Sequence, residues 1–252
     1  MIRLTNLAKR YGNFWAVDHV SLEVQKGEIF GFLGVNGAGK TTTIRMMVGV
    51  LQSTSGSIEL GGYDLQEYPT RAKSITGYIP DRPFLYNKLT GREFMHFIAE
   101  LYLVPAKETG ERIESLLEEF GLKDWGNDLI EGYSHGMKQR LATCAALIHK
   151  PKILIIDEPM VGLDPRGAKL LKDSLRRYAQ LGTTIFLSTH SLNVAEELCD
   201  RLAIIEKGKL LTVGTLNEIK GAIGGFEGGL ESLFLRLTSE MSKPDQINGS
   251  TE

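Results

Sequence analysis

The chain of 252 residues is poor in cysteine, in unbalanced charge and in long apolar runs. Its two cysteines, Cys144 and Cys199, are too few for a disulfide framework and lack the spacing of a metal site. This number fits a reducing compartment, where both thiols are expected to pack inertly in helices. No apolar run approaches the roughly 20 residues of a membrane-spanning helix. The opening residues, MIRLTNLAKRYG, alternate apolar and polar side chains, which predicts a strand and not a secretory signal.

An excess of charge of either sign is also missing. Lysine and arginine number 29 against 31 acidic residues, and the formal net charge is -2. Because this balance shows no nucleic-acid footprint, no nucleic-acid partner is expected. With 42% hydrophobic residues and no visible internal repeat, the chain can bury the core of one large domain, or of a domain with a subdomain.

Patterns of strands and helices divide the chain into three stretches. The first stretch holds IRLTNL and VSLEV as half-buried antiparallel strands, the apolar strand EIFGFLG, a helix from about Lys40 to Val50, and the strands SIELGG and ITGYIP. Only helical patterns occur between about residues 84 and 150, which form the predicted helical subdomain. In the third stretch the apolar strands ILIID and TTIFLSTH are separated by helical segments. This alternation predicts parallel strands covered by helices on both faces.

Two helices are predicted within residues 84–150. One begins at Thr90, with Glu93 three residues later completing a capping box. Its predicted apolar face consists of Phe94, Phe97, Ile98 and Leu101. The other helix runs from about residue 108 to residue 120. Its predicted apolar face consists of Ile113, Leu116, Leu117 and Phe120.

Near the C-terminus the patterns become polar and rich in glycine. GAIGGFEGG is expected to be a flexible connector, and LESLFLRL a short amphipathic helix. The polar residues 239–252 are expected to be a disordered tail.

The segment GVNGAGKT satisfies the pattern G-x-x-x-x-G-K-[ST] between an apolar strand and a helix. Glycines allow successive backbone N–H groups to face one anion, and the N-terminus of the helix adds its dipole. Lys40 is predicted to lie against the β- and γ-phosphates of a nucleotide, and Thr41 to ligate Mg²⁺. An accidental match in a glycine-rich turn is expected in about one chain in a hundred of this length. The predicted nucleotide-binding residues of this segment are Gly34, Asn36, Gly37, Ala38, Gly39, Lys40, Thr41 and Thr42.

Two carboxylates, Asp157 and Glu158, stand at the end of the strand in ILIIDEP, where open α/β sheets bind ligands. Asp157 is predicted to hold Mg²⁺, and Glu158 to orient or deprotonate a water for in-line attack on the γ-phosphate. Carboxylates at strand ends are common, so this pair indicates a nucleotide site only in combination with the glycine-rich loop. A GTPase would need a guanine-reading N-K-x-D, but the segment NKLT ends in threonine.

Over nearly its whole length the sequence resembles the nucleotide-binding subunit of an ABC transporter. Its motifs come in that family's order: an early aromatic, the phosphate loop, a helical insertion ending in a signature, the carboxylate pair, an acidic loop and a histidine. The resemblance implies one ATPase domain over residues 1–238. Its fold would be of the α/β class, a P-loop NTPase core with a mostly parallel sheet, an N-terminal antiparallel β-subdomain and an α-helical subdomain. ATP and Mg²⁺ are the implied ligands.

Four residues take their predicted roles from this resemblance. Tyr11 in KRYG resembles the aromatic that stacks on adenine, the alternative being a half-exposed tyrosine at a strand end. His190 in LSTH resembles the histidine that contacts the γ-phosphate and the attacking water. Asp164 in GLDP resembles the loop that communicates between subunits, and together with Pro165 it also suits the start of a helix. Asp81 in YIPDRP stands where the family usually has glutamine or glutamate, in the loop that reaches Mg²⁺.

The segment YSHGM resembles the family's signature, which reads approximately leucine-serine-glycine-glycine-glutamine and caps the γ-phosphate of ATP bound to a second subunit. Ser134 and Gly136 match this signature, whereas His135 replaces its first glycine. The ring adds bulk and restricts backbone angles, so neutral His135 is expected to hinder closure of an ATP-bound dimer. When protonated it is expected to donate a hydrogen bond to the phosphate.

The resemblance implies a cytoplasmic ATPase that dimerises with a second ATP-binding subunit, identical or different. It would power a separate membrane-embedded permease and lie on the inner face of the cell membrane through that partner. LESLFLRLTSE resembles endings in a bacterial subfamily that works with exporter-type permeases, which favours export. The alternative is a soluble ABC-type ATPase that acts on ribosomes or DNA. Such relatives usually carry two cassettes, long coiled coils or zinc modules, and this sequence shows none of these.

The loop after Asp81 is the predicted docking site for a cytoplasmic helix of the permease. Phe84, Leu85 and Tyr86 form an apolar cluster there, flanked by polar residues. The alternative is that these three side chains close the core of the helical subdomain.

Overall fold

The fold combines an antiparallel sheet, a largely parallel sheet and a block of helices. The computed structural model describes residues 1–222, 229–232 and 234–235. The strands are β1 (Ile2–Tyr11), β2 (Phe14–Val24), β3 (Ile29–Leu33), β4 (Ser55–Leu60), β5 (Tyr63–Asp64), β6 (Thr76–Ile79), β7 (Ile153–Asp157), β8 (Thr184–Thr189), β9 (Arg201–Glu206) and β10 (Lys209–Gly214). The helices are α1 (Lys40–Met47), α2 (Pro69–Ser74), α3 (Gly91–Leu101), α4 (Ala106–Glu119), α5 (His135–Leu147), α6 (Pro165–Gln180), α7 (Leu192–Leu198) and α8 (Leu216–Ala222). Single-turn 3-10 helices occupy Lys123–Trp125 and Ile130–Gly132.

The two sheets confirm the predicted α/β class. The antiparallel sheet has the order β2-β1-β4-β5, and the patterns IRLTNL and VSLEV lie in its long hairpin of β1 and β2. The second sheet has the order β10-β9-β3-β8-β7-β6 and is parallel except for β10. Every residue of β3, β7 and β8 is buried, as expected of parallel strands with helices on both faces.

The parallel arrangement brings the carboxyl ends of β6, β7, β8 and β3 to one edge of the sheet. The glycine-rich loop follows β3, and Asp81 lies two residues after β6. Glu158 follows β7 directly, and His190 follows β8 directly. The topology therefore collects at this edge four motifs that are far apart in the sequence.

Residues 84–150 contain no strand, and one isolated bridge pairs Thr90 with Leu129. The predicted capping box is confirmed, because the Thr90 hydroxyl accepts from the N–H of Glu93 and the Glu93 carboxylate accepts from the N–H of Thr90. The four apolar residues predicted for the inner face of α4 are all buried. They contribute to one core with the inner residues of α3 and α5 and with parts of β7, β8 and α6.

The apolar face predicted for α3 is wrong at two positions. Phe97 is 36% exposed and Leu101 is 63% exposed, whereas Met95 and Ala99 are buried. Both pairs have the same four-residue spacing, so helical periodicity alone did not decide which pair faces the core. Phe97 instead contacts the ring of Tyr86 at the surface, with ring centroids 5.4 Å apart.

The helix after the glycine-rich loop is shorter than predicted. α1 ends at Met47, because Gly49 has the left-handed φ of +67° that commonly ends helices. Val50, the predicted last residue of this helix, is 73% exposed. The helix therefore stops before the surface turn that leads to β4.

Both cysteines are inert thiols, although only Cys144 lies within a helix. Cys199 follows the last residue of α7. Burial raises the pKa of the Cys199 thiol to about 12, and burial also raises the pKa of the Cys144 thiol. Neither thiol forms a reactive thiolate near neutral pH.

The C-terminal predictions are only partly covered by the described residues. Within LESLFLRL, residues 230–232, 234 and 235 are helical. Most of GAIGGFEGG and the polar tail 239–252 lie outside the described residues, so the limits of the domain stay a prediction. None of the helices in the described part of the chain is long and apolar enough to span a membrane.

Candidate active site

A cavity of about 460 Å³ lies at the carboxyl edge of the parallel sheet, beside the hairpin of β1 and β2. Nine residues predicted from the sequence line it, namely Tyr11, Asn36, Gly37, Gly39, Lys40, Thr41, Thr42, Asp81 and Glu158. The sequence reasoning missed three further lining residues, Phe14, Ala16 and Val35. A larger cavity of about 1050 Å³ opens at the opposite edge of the sheet, beside α4, but no predicted site residue lines it. The smaller cavity is therefore the candidate active site.

The glycine-rich loop fits so closely into the fold that two of its positions exclude a side chain. A β-carbon at Gly34 would lie 2.5 Å from the carbonyl oxygen of Ile205. A β-carbon at Gly39 would lie 2.5 Å from the carbonyl oxygen of Ala16, and Gly39 also has a φ of +110°. The glycines thus allow the loop to press against β9 and β2 while its backbone curls around the cavity. The side chain of Ala38 is buried beneath this loop.

The ammonium group of Lys40 is held under the loop, and its side chain is only 6% exposed. It donates to the carbonyl oxygens of Gly34 at 2.8 Å and Val35 at 3.3 Å. Its Nζ atom also lies 3.3 Å from Oε1 of Glu158. The cation is therefore fixed at the floor of the cavity by two carbonyl groups and one carboxylate.

Glu158 connects Lys40 to His190. Its Oε2 atom lies 2.9 Å from Nδ1 of His190 and accepts from the N–H of the same residue at 3.4 Å. The backbone N–H of Glu158 donates to both the carbonyl and the hydroxyl oxygen of Ser188, each at 3.2 Å. Glu158 has a φ of +50°, which is uncommon for a residue with a side chain and is found disproportionately at functional sites.

Asp157 lies behind Glu158 and is buried. Its Oδ1 atom accepts a hydrogen bond of 2.5 Å from the Ser188 hydroxyl, and the nearby Thr41 hydroxyl favours the charged form of this carboxylate. Burial raises the pKa of Asp157, the two hydroxyl groups lower it, and the charges of Glu158 and Asp81 raise it further. Among the described residues no three acidic, histidine or cysteine side chains lie close enough together to hold a metal ion by themselves. The oxygen atoms of Asp157 and Thr41 beside the phosphate loop therefore suit Mg²⁺ only as part of a set completed by other oxygen ligands, such as phosphate and water.

Comparisons with known proteins show the family and the fold of this chain. The family profile described as "ABC transporter" matches residues 17–161. The chain belongs to the ABC transporter family. It is an ATP-binding subunit that hydrolyses ATP, as the sequence predicted.

Two relatives and one solved structure illustrate the similarity. Linearmycin resistance ATP-binding protein LnrL of Bacillus subtilis (strain 168) is 38% identical over 225 residues, covering 89% of this chain and 72% of the relative. Daunorubicin resistance ATP-binding protein DrrA3 of Streptomyces coeruleorubidus is 37% identical over 224 residues, covering 89% of this chain and 71% of the relative. The structure described as "Structure of ATP binding subunit of ABC transporter" has a TM-score of 0.90 and 33% identity, covering 94% of this chain and 99% of that chain.

Two aromatic side chains of this ABC ATPase stand at the mouth of the cavity. Tyr11 and Phe14 are directly opposite each other at the turn between β1 and β2. Tyr11 is 51% exposed and Phe14 is 63% exposed. Phe14 was not predicted as a site residue. The tight turn at Gly12 and Asn13 was nevertheless a signal that Phe14 pairs with Tyr11.

Ser134, Gly136 and Asp164 are not part of this cavity. The Ser134 hydroxyl accepts from the N–H of Met137 at 3.2 Å and caps α5. Asp164 caps α6 by accepting from the N–H of Gly167 at 2.9 Å. Within the described residues, neither Ser134 nor Asp164 hydrogen-bonds to the phosphate loop, so the predicted roles of all three residues need a second subunit and stay predictions.

The backbone at His135 needs no special conformation. His135 is the first residue of α5, and its φ is not positive. An L-residue therefore fits this position, and the expected restriction of backbone angles does not arise. Only the bulk and the chemistry of the ring distinguish it from the family's glycine.

Proposed function

We propose that this ABC ATPase binds ATP with Mg²⁺ in the cavity, dimerises with a second cassette around the nucleotide and powers export through a separate membrane permease. The observation that carries this proposal is the connected group of Lys40, Glu158 and His190 beneath the phosphate loop. Relatives named for resistance to linearmycin and to daunorubicin support export as the direction. A position on the cytoplasmic face of the cell membrane follows from the permease.

The present contacts of Lys40 and Glu158 suggest how the site responds to ATP. The β- and γ-phosphates compete with Glu158 for the Lys40 ammonium, since a phosphate carries more negative charge than one carboxylate. Glu158 then keeps its bond to His190 while its other oxygen is free to accept from a water. In this position the carboxylate orients and deprotonates that water for in-line attack on the γ-phosphate.

The oxygen atoms of Thr41, Asp157 and Asp81 are the proposed holders of Mg²⁺. The bound ion would supply positive charge that neutralises the phosphate oxygens. Burial raises the pKa of Asp157, and an adjacent divalent cation favours its charged form. Asp81 supplies a shorter and charged side chain where the family usually has glutamine or glutamate.

The remaining predicted contacts divide between the base and the second cassette. Tyr11 is proposed to stack on adenine, and the exposed ring of Phe14 offers a second aromatic surface beside it. Ser134 and Gly136 are proposed to meet the γ-phosphate bound to the partner cassette, while the loop of Asp164 communicates between the subunits. In this proposal Ser134, Gly136 and Asp164, which lie outside the cavity, all act at the interface between the two cassettes.

The proposed permease contact is narrower than the apolar cluster predicted from the sequence. Leu85 is buried in the helical core, which supports the alternative interpretation for this residue. Phe84 is 85% exposed and Tyr86 is 48% exposed, with ring centroids 6.0 Å apart in an edge-to-face arrangement. Together with Phe97 they form an aromatic surface suited to an amphipathic helix.

Substitution of this surface tests the permease contact. Phe84→Glu with Tyr86→Glu is expected to abolish co-purification with the permease and to leave ATP binding intact. Leu181→Glu is the matched control, because Leu181 is 75% exposed at the end of α6. Retention of the permease by the folded double variant would refute the docking assignment.

Fractionation tests the transport function itself. Without its permease the protein is expected to stay in the soluble fraction. When it is co-expressed with the permease, part of it is expected to move to the membrane fraction. Its ATPase activity is expected to require Glu158 in both fractions. Co-purification with ribosomes or DNA, independent of any membrane protein, would instead favour the alternative function.

A further inference from the structure

The ring of His135 lies directly against Gly162 of the same chain. A β-carbon at Gly162 would lie 1.9 Å from Cδ2 and 2.3 Å from Nε2 of His135. Non-bonded heavy atoms do not approach so closely, so a side chain at this position would have to displace the ring of His135. The φ of +78° at Gly162 independently favours glycine.

This contact joins two segments that the proposed function assigns to the dimer. His135 stands between Ser134 and Gly136 at the start of α5. Gly162 lies four residues after Glu158 and two residues before Asp164. Gly136, the residue after His135, also lies close to this loop. A β-carbon at Gly136 would lie 3.4 Å from the carbonyl oxygen of Gly162.

We propose that His135 is a positioning residue, whose ring fixes the signature segment to the loop of residues 159–164 in the same chain. The inference rests on the proposed ATP-bound dimer, because both segments face the second cassette there. With the ring in place, a displacement of the loop after Glu158 moves Ser134 and Gly136 with it. A glycine at position 135 leaves the ring's space empty, and the two segments then move independently.

This role reverses the effect that the sequence alone suggested for His135→Gly. If the ring mainly obstructs closure, its removal strengthens ATP-dependent dimerisation. If it positions the signature segment, its removal weakens dimerisation. The sign of the change therefore separates the two accounts.

A double-mutant cycle tests the contact. His135→Gly, Gly162→Ala and the double variant are prepared with Glu158→Gln to slow hydrolysis, and the dimer dissociation constant with ATP is measured by analytical ultracentrifugation. We expect His135→Gly to weaken dimerisation about 5-fold and Gly162→Ala to weaken it by about 10-fold or more. The double variant is expected to be clearly less impaired than the product of the two single effects, because the clash with the ring disappears, while the backbone strain of alanine at position 162 remains. Additive effects, or tighter dimerisation by His135→Gly, would overturn the inference.

His135→Phe distinguishes packing from charge. Phenylalanine keeps a planar ring without a titratable nitrogen, so Gly162→Ala is expected to remain about as harmful beside it as beside histidine. Loss of that penalty would overturn the role of ring packing. Binding of a fluorescent ATP analogue to the monomer and thermal unfolding identify variants that fail to fold.

The same experiment separates this inference from the function on which it rests. If the chain with only Glu158→Gln stays monomeric with ATP, the proposed dimer fails and the inference fails with it. If that chain dimerises but the cycle shows no coupling, only the inference fails.

Discussion

The nucleotide cavity and the signature segment are both proposed to contact ATP, yet their polar groups are arranged differently. In the cavity, Lys40 and Glu158 are nearly buried, with side chains 6% and 14% exposed, and they bind each other. In the signature segment, Ser134 and His135 are exposed, and the Ser134 hydroxyl caps its own helix. A site completed within one chain holds its charges ready by pairing them. A site whose ligand arrives on another chain must keep its donors at the surface.

The largest expected effect comes from Glu158 in the cavity. Glu158→Gln removes the proposed base but keeps a side chain of the same shape, and Asp157 remains for the metal. Turnover is expected to fall by a factor of about 100 or more, within the range for loss of a general base. ATP binding is expected to persist, and the nucleotide-bound dimer to accumulate.

Phosphate release and size-exclusion chromatography measure the two outcomes for Glu158→Gln. Glu131→Gln serves as the control, because Glu131 is an exposed partner of Lys88 away from the cavity. Undiminished turnover in purified Glu158→Gln would remove Glu158 from the role of base.

The signature segment is expected to show a smaller effect that appears only in the dimer. Ser134→Ala removes both the cap of α5 and the proposed donor to phosphate, and loss of the cap alone costs about 1 kcal/mol of stability. Ser134→Asp keeps a side chain that caps helices well, but its negative charge repels phosphate. We expect ATP-dependent dimerisation to weaken about 10-fold in both variants, consistent with a lost hydrogen bond to a charged group.

The Ser134 pair separates folding from phosphate contact. Thermal unfolding is expected to show a loss of stability for Ser134→Ala but near-normal stability for Ser134→Asp. Nucleotide binding to the monomer is expected to be unchanged in both. Normal dimerisation of Ser134→Asp would contradict the proposed contact with phosphate.

The sequence predicted most of the residues that line the cavity, because local motifs and strand order bring them together. The parallel sheet brings Asp81, Glu158 and His190 to the same edge as the glycine-rich loop. The sequence did not predict which face of α3 is buried, because Phe97 and Leu101 have the same spacing as Met95 and Ala99. It also gave no sign of the contact between His135 and Gly162, because nothing in either local pattern specifies how α5 meets the loop after β7.

A modest effect on ATP binding is expected from Phe14 at the mouth of the cavity. Its ring stands opposite Tyr11 and is 63% exposed, so Phe14→Ala removes stacking surface without opening the core. We expect the dissociation constant for ATP to rise about 3- to 10-fold, as for loss of an aromatic contact of about 0.5–1.5 kcal/mol.

Calorimetric titration of the Phe14→Ala monomer measures this change. Phe84→Ala is the matched control, because Phe84 is an exposed phenylalanine in the helical block. A similar loss of affinity in Phe84→Ala, or no loss in Phe14→Ala, would count against a base contact by Phe14.

The smallest expected effect concerns Gln139, one helical turn after His135 in α5. Its side chain is 1% exposed, and neither its amide oxygen nor its amide nitrogen has a hydrogen-bond partner among the described residues. An unpaired buried amide costs about 1–3 kcal/mol, so an apolar side chain of similar size is expected to stabilise the folded monomer. Gln139→Leu is predicted to raise the unfolding free energy by about 1 kcal/mol and the melting temperature by about 2–4 °C. Because Gln139 lies outside the nucleotide cavity, ATP binding to the monomer is expected to stay the same. A loss of stability in scanning calorimetry would show that the amide is hydrogen-bonded in solution, and that this end of α5 is as fully paired as the cavity.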